Sequence, residues 1–356
     1  MSKNILVKAS QLQELSQNPS FSHFLRYIQG PPEAKFTSAN EPSLATAETL
    51  TFVSTPELLE KAKSAGGIVV LEKLLTSSPS FAKHQVILAT PNMSAAMAVC
   101  LPLFDAKKSR FGQGVHATAQ IHPTAKLGKN VAIDAFAVIG ADAHIGDHCL
   151  IGAHTVVESG AKIGASTILH PHVFIGASSE LGQSCEVHPH TSIGSDGFGF
   201  AQSPDGKRHK IPQLGKVILE NFVEVGSGCA IDRATLSETR IGEGSKFDNH
   251  CHVAHNCTIG KHNVFAAGFM IAGSSQIGDG CSFGGGCVVA DHVKIGNQCH
   301  FGGLSGVHND VLQPGVYAGY PLQPLKDNMR TMANLVRLTE MRKQLAQVQK
   351  HLKLDK

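Results

Sequence analysis

The chain of 356 residues has no tryptophan, and only 17% of its residues are charged. No apolar run approaches the roughly 20 residues of a membrane span. The N-terminus, MSKNILVKASQLQELSQNPS, has one short apolar run and no small-residue cleavage site, so it does not read as a signal peptide. A cytoplasmic protein is expected. The nine cysteines form no CxxC pair, which argues against a zinc ribbon or a redox motif. A formal charge of +3 gives no argument for a nucleic-acid partner. Glycine is in excess, with 36 residues, and such a surplus over the usual roughly 7% points to many tight turns.

The turns are periodic. Every sixth residue from Ile121 is aliphatic: Leu127, Ile133, Ile139, Ile145, Ile151, Val157, Ile163, Leu169, Ile175, Leu181, Val187 and Ile193. The period restarts at Leu219, Val225 and Ile231, slips by four residues, and runs again from Ile241 to Val307 with Phe247, Phe265, Phe283 and Phe301 among its members. Six residues are too few for a helical repeat, and simple strand alternation does not produce this spacing. A short strand and a turn per hexapeptide, wound into a parallel solenoid with three hexapeptides per coil, does. Eight cysteines fall four residues after a period position, a slot for a small, weakly polar side chain, so a structural role is expected for them.

Residues 194–216, GSDGFGFAQSPDGKRHKIPQLGK, interrupt the period with two phenylalanines flanked by glycine. A long insertion on a rigid scaffold is a place for function, and Asp196, Phe198 and Lys210 are candidate substrate contacts there. Residues 1–105 lack the period and read as a small α/β domain, with helices in LVKASQLQELSQNP and STPELLEKAKSAGG and strands in TLTFVS, GGIVVL and HQVILAT. Residues 106–318 carry the solenoid. Residues 319–356 read as a C-terminal helical extension, with Leu335, Leu338, Met341, Leu345, Val348 and Leu352 on one stripe suited to a partner helix.

Three histidines, one acid and two asparagines crowd into residues 248–256, DNHCHVAHN. Residues 18 apart stack on adjacent coils, about 4.8 Å from each other. This places His255 against Gly273 and His292 one coil beyond Ser274, with Asp248 one face earlier. A histidine beside a glycine backbone suits acyl transfer: the imidazole removes a proton while an N–H steadies the oxyanion. The spacing of His250 and His255 leaves a zinc site, as in solenoid carbonic anhydrases, as the competing reading.

The stretches IPQLGKVILENFVEVGSGCAIDRATLSETRIG, DNHCHVAHNCTIG, MIAGSSQIG, SDGFGFA and GVYAGYPLQP resemble the UDP-3-O-(3-hydroxyacyl)glucosamine N-acyltransferase family of lipid A biosynthesis. The resemblance implies a mainly β fold, a left-handed parallel β-helix with a small N-terminal α/β domain and C-terminal α-helices. It also implies a homotrimer, and transfer of a (3R)-3-hydroxyacyl group from the phosphopantetheine thioester of acyl carrier protein to the 2-amino group of UDP-3-O-acylglucosamine. No metal and no other cofactor are implied. His255 would be the general base, Gly273 the oxyanion donor, and Asp248 and His292 further active-site residues, with Asn249 a candidate substrate contact; the small residues of 301–308, FGGLSGVH, leave room for an acyl tail beyond Gly273, and Gly306 is a candidate contact there. The N-terminal domain would hold uracil on an aromatic-x-x-Asn-x-x-Tyr pattern; this chain has FVSTPEL, keeping Phe52 but carrying Thr55 and Leu58 at the other two places. Acylation of the hydroxyl of an earlier sugar nucleotide, zinc hydration, and a non-catalytic sugar-nucleotide scaffold are the alternatives.

Overall fold

The structure is a computed structural model that describes residues 6–76, 80–105, 111–318 and 325–352. The chain forms two compact units, Met1–Arg110 and Phe111–Lys356.

The first unit is a five-stranded sheet in the order Arg26–Gln29, Val86–Thr90, Gly67–Leu71, Thr49–Val53, Ser38–Ala39. The Arg26–Gln29 edge is antiparallel and the other pairings are parallel. Its central strands read as apolar runs because both faces are covered, with Leu50, Val69 and Leu88 in one cluster and Val53, Ile68, Val70 and Ile87 in the other. Helix Pro56–Lys61 begins where the Thr55 hydroxyl accepts the Leu58 N–H, and Leu58 packs on the second cluster.

The second unit is a mainly β, left-handed parallel β-helix. Its three faces are sheets of 10, 10 and 9 strands, each strand two to four residues long. Successive coils pair in parallel 18 residues apart, as in Ile133↔Ile151↔Leu169 on the first face, Ile139↔Val157↔Ile175 on the second and Ile145↔Ile163↔Leu181 on the third. The six-residue period is therefore the inward column of each face. From Ile133 onward these side chains are buried, whereas Leu127 at the open N-terminal end is 36% exposed. Burying one such aliphatic side chain contributes about 1.5–3 kcal/mol. In the later coils the first face switches to a stacked aromatic column, Phe247, Phe265, Phe283 and Phe301, with ring centroids 4.4–5.1 Å apart.

The corners account for eight of the nine cysteines and for seven of the 20 histidines. Four residues after an inward residue the side chain is buried, and where it carries a donor this reaches a carbonyl of the next coil, fifteen residues on in an uninterrupted run. Cys149 donates to Gly164, Cys257 to Ala272 and Cys281 to Gly296, in the same way as Thr155 to His170 and Ser275 to Ala290. Burial pushes the Cys185 and Cys257 thiols up to about 11, away from thiolate chemistry. One position earlier the backbone is left-handed, and Asn, Asp, Ser, Gly and His fill most of these slots, with Phe136, Phe222, Gln298 and Leu304 among the rest: His148, His154, His172, His190, His250, His262 and His292 all have φ between 55° and 63°.

The insertion is a short antiparallel hairpin, Phe200–Gln202 with Arg208–Lys210. Among the described residues of the C-terminal extension one helix runs over Leu325–His351, with no glycine or proline inside it. Its stripe of Leu335, Leu338, Met341, Leu345 and Val348 is 50–58% exposed.

Candidate active site

His255 lies on the corner after strand His252–Val253, and its ring is held between two glycines. A Cβ on Gly273 would stand 2.7 Å from the ring's Cε1 and 3.0 Å from Nε2. A Cβ on Gly197 would stand 2.6 Å from its Cβ and 2.8 Å from Cδ2. Gly197 comes from the insertion, whose base is anchored by the Arg233 guanidinium donating to the Gly194 carbonyl at 2.8 Å. Only residues without a side chain fit at either place.

Asn256 orients the ring. Its amide oxygen accepts the Thr235 N–H at 2.9 Å, so its NH₂ faces His255 Nδ1, also at 2.9 Å. With the amide held this way, the neutral imidazole carries its proton on Nε2. The Thr235 hydroxyl in turn meets the buried Gln213 of the insertion at 3.1 Å. A continuous set of polar contacts thus runs from the insertion to the histidine.

The histidine opens on a cavity of about 290 Å³ lined by Phe198, Asp232, His252, Met270, Val288 and Gly273. Asp232 is buried at 8% exposure, and its Oδ2 is 3.9 Å from His252 Nε2. Desolvation raises its carboxyl above the ordinary range, opposed by His252 and His255. Beyond the cavity, His252, Met270, Val288 and Gly306 form one outward column of the second face in register. It ends at a second cavity of about 280 Å³ lined by Gly306, Phe301, Ser305, His308 and Tyr317. Three strand spacings separate His252 from Gly306, about 14 Å. On the same coils the third face carries Thr258, Gln276 and Lys294 outward, so the apolar stripe belongs to the second face.

The structure brings together His255, Gly273 and Phe198, and it places Gly306 at the far end of the same column. Among the described residues no acceptor takes the Gly273 N–H. The His292 backbone N–H donates to the Gly273 carbonyl at 3.1 Å, but its side chain is 75% exposed beside Asp291. Asp248 accepts the Ala267 N–H at 3.2 Å and lies on the preceding corner, not against His255. Asn249 accepts the Ser227 N–H at 2.8 Å, repeating the cap that Asn221 makes on Gln183 and Asn297 on Asp279. Asp196 and Lys210 pair with each other across the hairpin. Phe52 lines a separate cavity of about 490 Å³ in the first unit, with Asn40, Leu44, Met93, Met97 and Leu101. Gly197, Asp232, His252 and Asn256 are the residues the sequence reading did not single out; the stretches that hold them, SDGFGFA, AIDRATL and DNHCHVAHN, were the available signal.

A triangular coil of hexapeptides with one histidine framed by glycines defines a hexapeptide-repeat transferase, and residues 124–159 match the family described as bacterial transferase hexapeptide (six repeats). The chain is 52% identical over 266 residues to UDP-3-O-acylglucosamine N-acyltransferase of Porphyromonas gingivalis (strain ATCC 33277), which covers 75% of this chain and 76% of that one. It is 51% identical over 161 residues to the protein of that name from Dechloromonas aromatica, covering 45% of this chain, and 36% identical over 147 residues to UDP-3-O-acylglucosamine N-acyltransferase 2 of Sulfurimonas denitrificans, covering 41%. The chain spans about half the length of each of these last two relatives, 46% in both cases. The solved structure of LpxA from Acinetobacter baumannii is 27% identical, covers 61% of this chain and 77% of that one, and has a TM-score of 0.44. The chain belongs to the UDP-3-O-acylglucosamine N-acyltransferase family. Among the described residues, no helix is long and apolar enough to cross a membrane.

Proposed function

We propose that the protein is a cytoplasmic N-acyltransferase. In this reading it moves a (3R)-3-hydroxyacyl group from acyl carrier protein to the 2-amino group of UDP-3-O-acylglucosamine, giving UDP-2,3-diacylglucosamine. The observation that carries this reading is the His255 ring framed by Gly197 and Gly273 at the mouth of an apolar outward column. The amine nitrogen attacks the thioester carbonyl, the C–N bond forms and the C–S bond breaks. His255 takes the amine proton and returns it to the departing thiolate, while the Gly273 N–H receives the oxyanion. Nε2 serves as the base in the minor tautomer, reached when solvent takes the Nε2 proton and returns one to Nδ1. The chemistry calls on no metal or other cofactor. Phe52 contributes one wall of a site for the nucleotide base, without the Asn and Tyr of the family pattern, since Thr55 caps a helix and Leu58 fills the core. Three chains assemble about a threefold axis, which covers the exposed stripe of helix Leu325–His351.

The test supplies UDP-3-O-acylglucosamine and (3R)-3-hydroxyacyl acyl carrier protein to chelator-treated full-length protein. Diacylated product and free carrier thiol in equal amounts are expected. Acylation of the UDP-N-acetylglucosamine hydroxyl alone would assign the neighbouring reaction instead, and neither product would remove the reading.

The outward column also sets a length. Gly306 sits in strand Gly306–Val307 without a left-handed φ, and a Cβ there would meet only the His308 ring, at 3.2 Å. Gly306→Met is therefore compatible with the fold and fills the end of the column. It is expected to shift preference toward shorter 3-hydroxyacyl chains. Two methylenes at about 0.8 kcal/mol each amount to roughly tenfold in relative kcat/KM. An unchanged ranking of C10, C12 and C14 donors would rule the column out as the acyl site.

A further inference from the structure

On the corner between the first and second faces, a different edge from that of His255, four side chains of three successive coils converge. His170 follows strand Ile168–Leu169, Glu186 and His188 flank Val187 on the next coil, and Glu224 begins the strand after it; Ile168, Glu186 and Glu224 are register partners. His170 Nε2 is 2.8 Å from Glu186 Oε1. His188 Nε2 is 3.8 Å from the same oxygen and 3.1 Å from Glu224 Oε1. The two imidazoles stack at 4.9 Å, and the donor atoms of His170, Glu186 and His188 all lie within 4.8 Å of one another.

We propose that His170, Glu186, His188 and Glu224 form a binding site for a divalent transition-metal ion of the zinc class, which clamps three coils of the solenoid. Charge is the first argument. Elsewhere charges alternate along the ladder, as where Glu180 lies between Lys162 and Lys216 at 3.2 and 2.8 Å. Here two glutamates occupy successive register positions, an arrangement that repels. Lys246, the next register partner, meets Glu224 at 3.8 Å, and a dication bound between the two glutamates would further offset their mutual repulsion. Geometry is the second argument. Zinc bonds of 2.0–2.2 Å to His nitrogen and carboxylate oxygen give a tetrahedron with edges of about 3.3–3.6 Å; the Glu186 oxygen lies 2.8 and 3.8 Å from the two histidine nitrogens, on either side of that range, and Glu224, 3.1 Å from His188, stands at the rim of this three-donor group as the further ligand. The donors are imidazole and carboxylate without thiolate, which suits Zn²⁺, Ni²⁺ or Co²⁺ rather than Cu⁺. His170, Glu186 and His188 are 15%, 23% and 25% exposed, so the site is sheltered yet reachable.

The competing occupant is the proton, with charged histidines pairing the two carboxylates, and the experiment separates the two. Chelator-treated full-length protein at pH 7.5 is titrated with zinc chloride by calorimetry and with cobalt(II) by visible absorption, and its thermal midpoint is recorded with and without zinc. Saturable binding of one ion per chain, a tetrahedral cobalt spectrum and a raised midpoint are expected. Glu186→Gln keeps the side chain's shape and is expected to weaken zinc binding at least tenfold. His172→Ala, on the exposed His154–His172–His190 stack, is expected to leave it unchanged. His170→Gln serves as a second variant should Glu186→Gln lose the fold by circular dichroism. Absence of saturable zinc binding to the unmodified chain overturns the proposal. So does binding that survives both Glu186→Gln and His170→Gln, or that follows His172 instead.

Discussion

His255→Ala is expected to lower kcat by about 10²–10⁴-fold, the usual loss when a general base is removed, with the thermal midpoint nearly unchanged. Among the described residues the ring makes one hydrogen bond, to Asn256, so little of the fold depends on it. Turnover within threefold of the unmodified protein would sink the base assignment. Strong inactivation that added zinc restores would point to metal chemistry instead. Asn256→Asp sharpens the test. A carboxylate keeps an acceptor for the Thr235 N–H and turns the partner of His255 Nδ1 from donor to acceptor, favouring the tautomer with a free Nε2 lone pair. Asn256→Asp should therefore retain most of kcat, while Asn256→Ala, which leaves the ring unheld, should lose more. A rate for the Asp variant below that of the Ala variant would contradict transfer at Nε2.

The solenoid was legible because its physics is periodic. One inward aliphatic per hexapeptide and three hexapeptides per coil make residues 18 apart into neighbours, so the contact of His255 with Gly273 follows from counting. The same count leads to the His292 backbone, whose N–H donates to the Gly273 carbonyl, while its side chain, in a left-handed slot, is exposed. Asn249 looks special beside Asp248 in the sequence, yet it repeats a corner cap made by Asn221 and Asn297. What counting could not reach lies where the period breaks. Gly197 arrives at His255 only because the insertion folds back across the coil. Asp232 sits at the slip between Ile231 and Ile241, where the register of the next slot is no longer fixed by the repeat. The thiols and most turn histidines needed no function, since corner chemistry accounts for them.

The second large effect is expected from adding one methyl group beside that histidine. Neither Gly273 nor Gly197 has a left-handed φ, so the backbone at both positions accepts alanine without strain. The new Cβ of Gly273→Ala would stand 2.7 Å from His255 Cε1, closer than non-bonded carbons approach, and the ring must move. It cannot retreat freely, because Gly197 packs so closely on the same side chain that a Cβ there would stand 2.6 Å from the His255 Cβ. The substitution leaves the backbone N–H of that position in place, so the oxyanion donor is kept and the effect isolates the position of the imidazole. A misplacement near 1 Å costs about 10²-fold in rate. The expectation is thus a fall in kcat of about that size for Gly273→Ala, with KM for the sugar nucleotide little changed, and a similar fall for Gly197→Ala. Because both variants press on the same side chain, combining them should cost less than the product of the two single losses. Two single variants with kcat within threefold of the unmodified chain would show that the placement of His255 between the glycines is not what the reaction requires.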